Sequence, residues 1–184
     1  YSADGAYAIG TFDGKAFATE SGKHRFNFGN CFYASQTYSD IPAEDGRRIQ
    51  IGWGRVDFKG MPFNQMMDFP VELTLRTTDE GIRMFAYPVR EVERLYDKQH
   101  AWKDQALPEG KNLLEGVTGE LFDIRAEIEP GDAAEVGFTV RGTRVVYDAK
   151  KQTLSCKGTA PLKPEGGKIR PDVGRPLELS LHDA

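Results

Sequence analysis

Two aromatics stand out among the residues of this chain that could do chemistry. Tyr33 lies in Cys31-Phe-Tyr-Ala-Ser-Gln-Thr-Tyr38 and Trp53 in Arg47-Arg-Ile-Gln-Ile-Gly-Trp-Gly54. Each carries an apolar body and one polar atom, a phenol and an indole N–H. From the residues alone, both would be assigned to a sheet core. The other reactive groups are scattered. His24, His100 and His182 have no Ser or Cys nucleophile beside them in any recognisable pattern, so a catalytic triad is unsupported. Cys31 and Cys156 are far apart, and nothing in their spacing pairs them as a disulfide or joins them to a histidine as a zinc site. No glycine-rich phosphate loop follows a strand and opens a helix. Asp40, Glu44 and Asp45 form an acidic cluster that reads as a solvated turn.

The elements that must position Tyr33 and Trp53 are two strands. The first stretch runs through aromatic and β-branched residues with no helical period. In the second, Ile49, Ile51 and Trp53 alternate onto one face. Between them, Ser39-Asp-Ile-Pro-Ala-Glu-Asp-Gly46 is dense in turn formers. An antiparallel hairpin follows, with Tyr33 and Trp53 on neighbouring strands.

The rest of the chain is β-rich. Tyr7–Thr11 and Lys15–Thr19 flank Phe12-Asp-Gly14, which predicts an opening hairpin with a type I′ turn. Phe26 and Phe28 alternate in a short extended segment, and residues 54–68 read as mostly irregular. Val71, Leu73 and Leu75 alternate with polar residues, Thr78-Asp-Glu-Gly81 turns the chain, and Ile82–Tyr87 returns. Four sequential antiparallel strands make one propeller blade. Pro88 opens the one predicted helix, with Val89, Val92 and Leu95 at helical spacing. Strand patterns resume at Phe122, Ile124, Ala126 and Ile128, then at Val136, Phe138 and Val140, at Val145 and Tyr147, at Leu154 and Cys156, and at Leu177, Leu179 and Leu181. Short strands at this spacing predict a sandwich.

Length and charge narrow the function. The 184 residues suit one domain, or one small domain and part of another, and the net charge of −4 argues against nucleic acid or an anionic membrane as partner. No apolar run is long enough to span a bilayer. No metal or organic cofactor is implied.

Phe32-Tyr-Ala-Ser-Gln-Thr37 followed by Gly46-Arg-Arg-Ile-Gln-Ile-Gly-Trp53 resembles the fifth propeller blade of glycoside hydrolase family 32, the invertases, levanases, inulinases and related fructosidases. The likeness continues in Ile9-Gly-Thr-Phe-Asp-Gly-Lys15, in Met61-Pro-Phe-Asn-Gln65, in Phe69-Pro-Val-Glu-Leu-Thr-Leu-Arg76 and through Pro88-Val-Arg-Glu-Val-Glu-Arg-Leu95. The resemblance implies an all-β chain: the last part of a five-bladed β-propeller over residues 1–92, a linker over 93–110 that carries part of the helix, and an incomplete β-sandwich over 111–184. The ending Ile169–His182 does not match the family, which implies a cut, a rearrangement or completion by another copy. A lone blade exposes flanks that neighbours would bury, so association with further copies or with the rest of a propeller is expected.

The resemblance also implies a retaining β-fructosidase acting on levan- or inulin-type fructans or on sucrose, outside the cytoplasm or in the periplasm. Tyr33 and Trp53 are the two positions that carry over, and in the family both line the sugar pocket. The family's three catalytic carboxylates come from a Trp-Met/Leu-Asn-Asp-Pro-Asn-Gly motif, an Arg-Asp-Pro and a Glu-Cys. None occurs in these residues; Arg170-Pro-Asp172 is only a superficial echo. The chain is therefore expected to form one wall of a pocket without hydrolysing sugar alone. A non-catalytic fructan-binding module is the alternative, and a purely structural piece a third. Cys31 stands where many family members have Asp before Phe-Tyr-Ala; a thiol is a poor acceptor and uncharged near neutral pH, which favours a fructan over sucrose. Asn30 and Gln36 are candidate rim residues.

Overall fold

The computed structural model describes residues 1, 5–27, 31–56, 59–60 and 62–157, together with the backbone of 179–183. It has two compact units, one holding Tyr1–Val89 and the other starting at Arg90. Strands dominate both, in agreement with the all-β expectation.

In the first unit, β1 (Ala6–Tyr7) pairs with β4 (His24–Arg25), and β2 (Gly10–Phe12) pairs with β3 (Phe17–Thr19). The opening hairpin is thus shorter than predicted, and Tyr7 belongs to a different pair. Its turn also differs. A type I′ turn needs positive φ at both central residues, but among Asp13–Ala16 only Gly14 has it, at 96°. The Asp13 carboxylate accepts instead from the N–H groups of Lys15 (2.8 Å) and Ala16 (2.7 Å). A side-chain acceptor has replaced a special backbone conformation.

The main sheet contains β5 (Phe32–Thr37), β6 (Ile49–Gly54), β8 (Val71–Thr78) and β9 (Gly81–Pro88), in that order, with the short β7 (Met66–Met67) also on β6. Neighbours are antiparallel throughout. This is the four-stranded meander expected of a blade. β7 lies in a stretch expected to be irregular; two residues are too few to leave an alternation in the sequence.

One face of the β5–β6 pair packs on aromatic rings. Phe32 lies over Gly52, where an added Cβ would come within 2.3 Å of its ring. Phe26 meets Phe32 edge-on at 5.5 Å, and Tyr7 lies 6.3 Å from Phe26. Such aromatic pairs contribute about 0.5–1.5 kcal/mol each beyond their buried area. Tyr7 also ties two elements together, because its hydroxyl accepts from the Met84 N–H on β9 at 3.2 Å. Among the described residues Ala6, Tyr7, Ile49 and Val89 are the buried apolar ones.

The second unit opens with a 3₁₀ helix, Arg90–Leu95, where the sequence suggested an ordinary helix. The reason is in the pattern: Val89, Val92 and Leu95 recur every three residues, which is the 3₁₀ period. β10 (Lys98–His100) follows within the segment expected to be linker. It pairs with β15 (Leu179–Asp183), which also pairs with β11 (Phe122–Arg125). A second sheet has the order β12 (Glu135–Val140), β13 (Thr143–Asp148) and β14 (Thr153–Lys157), all antiparallel. On β12 half-buried Val136, Phe138 and Val140 alternate with exposed neighbours, as the sequence predicts. β11 is shorter than its alternation suggests, ending at Arg125 with an irregular register beside β15. Phe28, Asn30, Met61, Leu177 and the Arg170-Pro-Asp172 echo lie outside the described residues.

Candidate functional site

Tyr33 on β5 stands directly opposite Trp53 on β6. Their rings are 6.3 Å apart at 60°, an edge-to-face arrangement. The register explains how they meet. From Tyr33↔Trp53 to Gln36↔Ile51, β5 advances three residues while β6 advances two. The extra residue makes a β-bulge, a device that re-aims side chains. At the bulge Ala34 has φ 47°, in the left-handed region that disfavours any residue with a Cβ.

Beneath the bulge, Ser35 and Gln50 are buried and hydrogen-bonded, with Gln50 Nε2 donating to Ser35 Oγ at 3.2 Å. The Gln50 carbonyl oxygen is buried without a partner among the described residues. Tyr33 and Trp53, by contrast, are 39% and 38% exposed. Both rings lie on the opposite face of the strand pair from the Phe32–Gly52 packing.

Arg55, just beyond β6, completes the cluster. Its N–H donates to the Cys31 carbonyl at 2.9 Å, which extends the ladder by one step. Its guanidinium carbon lies 4.8 Å from the Tyr33 ring centre, a cation–π contact. Trp53 and Arg55 are two residues apart, so they share a face. Sequence reading missed Arg55 because only the register of β5 against β6 brings it to Tyr33. Gln36 is exposed and pairs with Ile51, on the same side as Trp53. Cys31 is a half-buried free thiol, as is Cys156.

The other candidates stay apart from this cluster. Asp45 is bound to Arg47, accepting from Nε at 2.6 Å and from Nη2 at 2.7 Å, while Asp40 and Glu44 are exposed, as a solvated turn requires. His24 packs on Tyr7 at 5.2 Å, and His100 stacks on Trp102 at 6.1 Å. No group of three or more His, Cys, Asp or Glu that could hold a metal occurs among the described residues.

An indole face beside a phenol hydroxyl and a free guanidinium suits a ligand with both C–H surface and hydroxyl groups. Residues 2–88 match the family model described as the glycosyl hydrolases family 32 N-terminal domain. The chain is 34% identical over 197 residues to a levanase of Bacillus subtilis (strain 168), covering 89% of this chain and 29% of that enzyme. It is 27% identical over 162 residues to an insoluble β-fructofuranosidase isoenzyme of Arabidopsis thaliana, covering 72% of this chain and 26% of the relative. Among solved structures, the exo-inulinase of Aspergillus awamori shares the fold, with a TM-score of 0.71 at 20% identity over 96% of this chain and 37% of that one. The chain spans less than a third of the length of these two sequence relatives.

Proposed function

This chain belongs to glycosyl hydrolase family 32, and from that premise we propose that it supplies one wall of the sugar pocket of a retaining β-fructosidase acting on fructans. The observation that carries the reading is the open Tyr33–Trp53 pair, set opposite each other by a strained bulge. In this reading the Trp53 indole packs on the C–H face of a fructosyl ring. The Tyr33 hydroxyl donates to a sugar hydroxyl or to a catalytic carboxylate. Retaining chemistry needs two carboxylates about 5–5.5 Å apart, a nucleophile and an acid/base. The motifs that carry them in the family do not occur in these residues, so the role given to this chain is to hold and orient sugar. A levan- or inulin-type polymer is favoured over sucrose by Cys31, whose thiol offers a leaving glucose little hydrogen bonding. Because such a polymer is met outside the cell, a secreted or periplasmic setting follows.

Titration with a fructo-oligosaccharide, read by tryptophan fluorescence and by calorimetry, tests this. Saturable binding is expected, weakened at least about tenfold by Trp53→Ala, which corresponds to about 1.4 kcal/mol. Trp102→Phe should leave binding unchanged. Absence of saturable binding to the wild-type chain would sink the pocket-wall role.

A further inference from the structure

We propose that Arg55 determines chain-length specificity at this site, by gripping the hydroxyls of the sugar unit next to the one seated on Trp53. The proposal rests on the reading of the Tyr33–Trp53 pair given above. Its own support is the state of the arginine. Arg47 is ion-paired with Asp45, Arg83 with Glu80, and Arg125 with Glu93 and Asp123. Among the described residues Arg55, like Arg48 and Arg94, has neither an ion pair nor a side-chain hydrogen bond; unlike them its guanidinium lies against the Tyr33 ring, beside Trp53. That contact leaves its N–H donors unspent. A planar fork of parallel N–H groups matches two neighbouring oxygens, as it does in a carboxylate. Adjacent sugar hydroxyls present the same pairing without charge.

Position agrees with chemistry. Residues two apart on a strand are separated by about 7 Å on one face, roughly the step from one sugar ring to the next. Arg55 covers one face of Tyr33, so that face cannot stack sugar, and Trp53 is left as the platform. A sugar on Trp53 then extends toward Arg55. Arg76 is the internal contrast: from β8 it makes a similar contact with Phe85 on β9, at 4.6 Å, beyond the two residues where β8 pairs with β6.

The test is titration of the 184-residue chain with fructose and with β-2,6-linked fructose di- and trisaccharides. Arg55→Ala should weaken trisaccharide binding about tenfold or more while fructose binding stays within about twofold. Arg55→Lys should recover only part of the loss, because an ammonium lacks the fork. Arg76→Ala should match the wild type for every sugar. An equal loss for fructose and trisaccharide would overturn the proposal by reducing Arg55 to a brace for Tyr33, and an unchanged trisaccharide affinity would overturn it outright. A wild-type chain that binds none of the sugars would overturn the site itself, which is a separate failure.

Discussion

Gln50 donates to Ser35 across the β5–β6 pair at 3.2 Å, beneath the bulge that sets Tyr33 opposite Trp53. Both residues are buried, and Gln50 is fully so. A buried donor left without its acceptor loses the compensation for its desolvation, which amounts to about 1–3 kcal/mol. Removing both partners together is much milder. Ser35→Ala should therefore lower stability by about 1–3 kcal/mol, and the double change Ser35→Ala with Gln50→Leu should recover part of that loss. Urea unfolding of the four proteins in the cycle measures this. Additive losses would show that the two side chains do not depend on each other.

Ala34 leads to a second prediction. Its φ of 47° is unfavourable for a residue with a Cβ and acceptable for glycine. Ala34→Gly relieves that strain but loosens the unfolded chain, so the net change should be small, within about 1 kcal/mol. Ala34→Val places a β-branched residue in the left-handed region and should destabilise by more than about 1 kcal/mol. If the bulge serves the site, Ala34→Val should also weaken sugar binding, and the Tyr33–Trp53 contact seen by NMR should be lost. Equal stability for the glycine and valine variants would rule out the strain account.

The legible part of this molecule is the part written in alternation. The strands around Trp53, Leu73 and Phe138 are legible in a period-2 sequence, matched by period-2 burial on β12, and the strand around Tyr33 in its aromatic and β-branched composition. The bulge is not, because Ala34 carries no mark of positive φ. Turn chemistry misled in one place and was silent in another. Asp13-Gly14 predicted positive φ at both positions, yet its carboxylate took over the turn. Among the described residues the two-residue turn with positive φ at both positions is Arg141–Gly142, at 49° and 80°, where arginine gives no such signal. Tyr33 and Trp53 were found through motifs. Arg55 is not legible in this way, since nothing local to Gly54-Arg-Val56 shows a ring on the adjacent strand.

Two carboxylates should tilt the pH dependence of stability in opposite directions. The Asp13 carboxyl is held below its ordinary 3.8 by the N–H groups of Ala16 and then Lys15. Its contribution is present above that value and is lost as pH falls through the lowered folded value. Asp68 is pushed above 3.8 by burial. Its contribution is present below 3.8 and lost as pH rises through the raised value, so the ionised form works against the fold at neutral pH. Asp68→Asn should then raise the urea midpoint near neutrality and Asp13→Ala should lower it, with both differences shrinking on acidification from about pH 7 to about pH 3. The same sign for both variants would contradict this.

In the second unit the 3₁₀ helix is fastened to β11 through Tyr96 and Arg125. Arg125 Nη2 donates to Glu93 Oε1 at 2.8 Å and to the Tyr96 hydroxyl at 3.1 Å, and lies 3.4 Å from Asp123 Oδ2. The Tyr96 hydroxyl donates to that same Asp123 oxygen. Burial first, then the neighbouring Asp123, pushes the Tyr96 hydroxyl above its ordinary value, so it stays a donor through neutral pH. Tyr96→Phe removes the link between the helix and the carboxylate while keeping the ring. A loss of about 1–2 kcal/mol is expected, on the scale of hydrogen bonds to charged groups. Faster amide exchange should appear in Arg90–Leu95 and β11 but not in β5 or β6. Unchanged exchange in the 3₁₀ helix would mean that the Tyr96 hydroxyl does not fasten it and that the Glu93–Arg125 bond suffices.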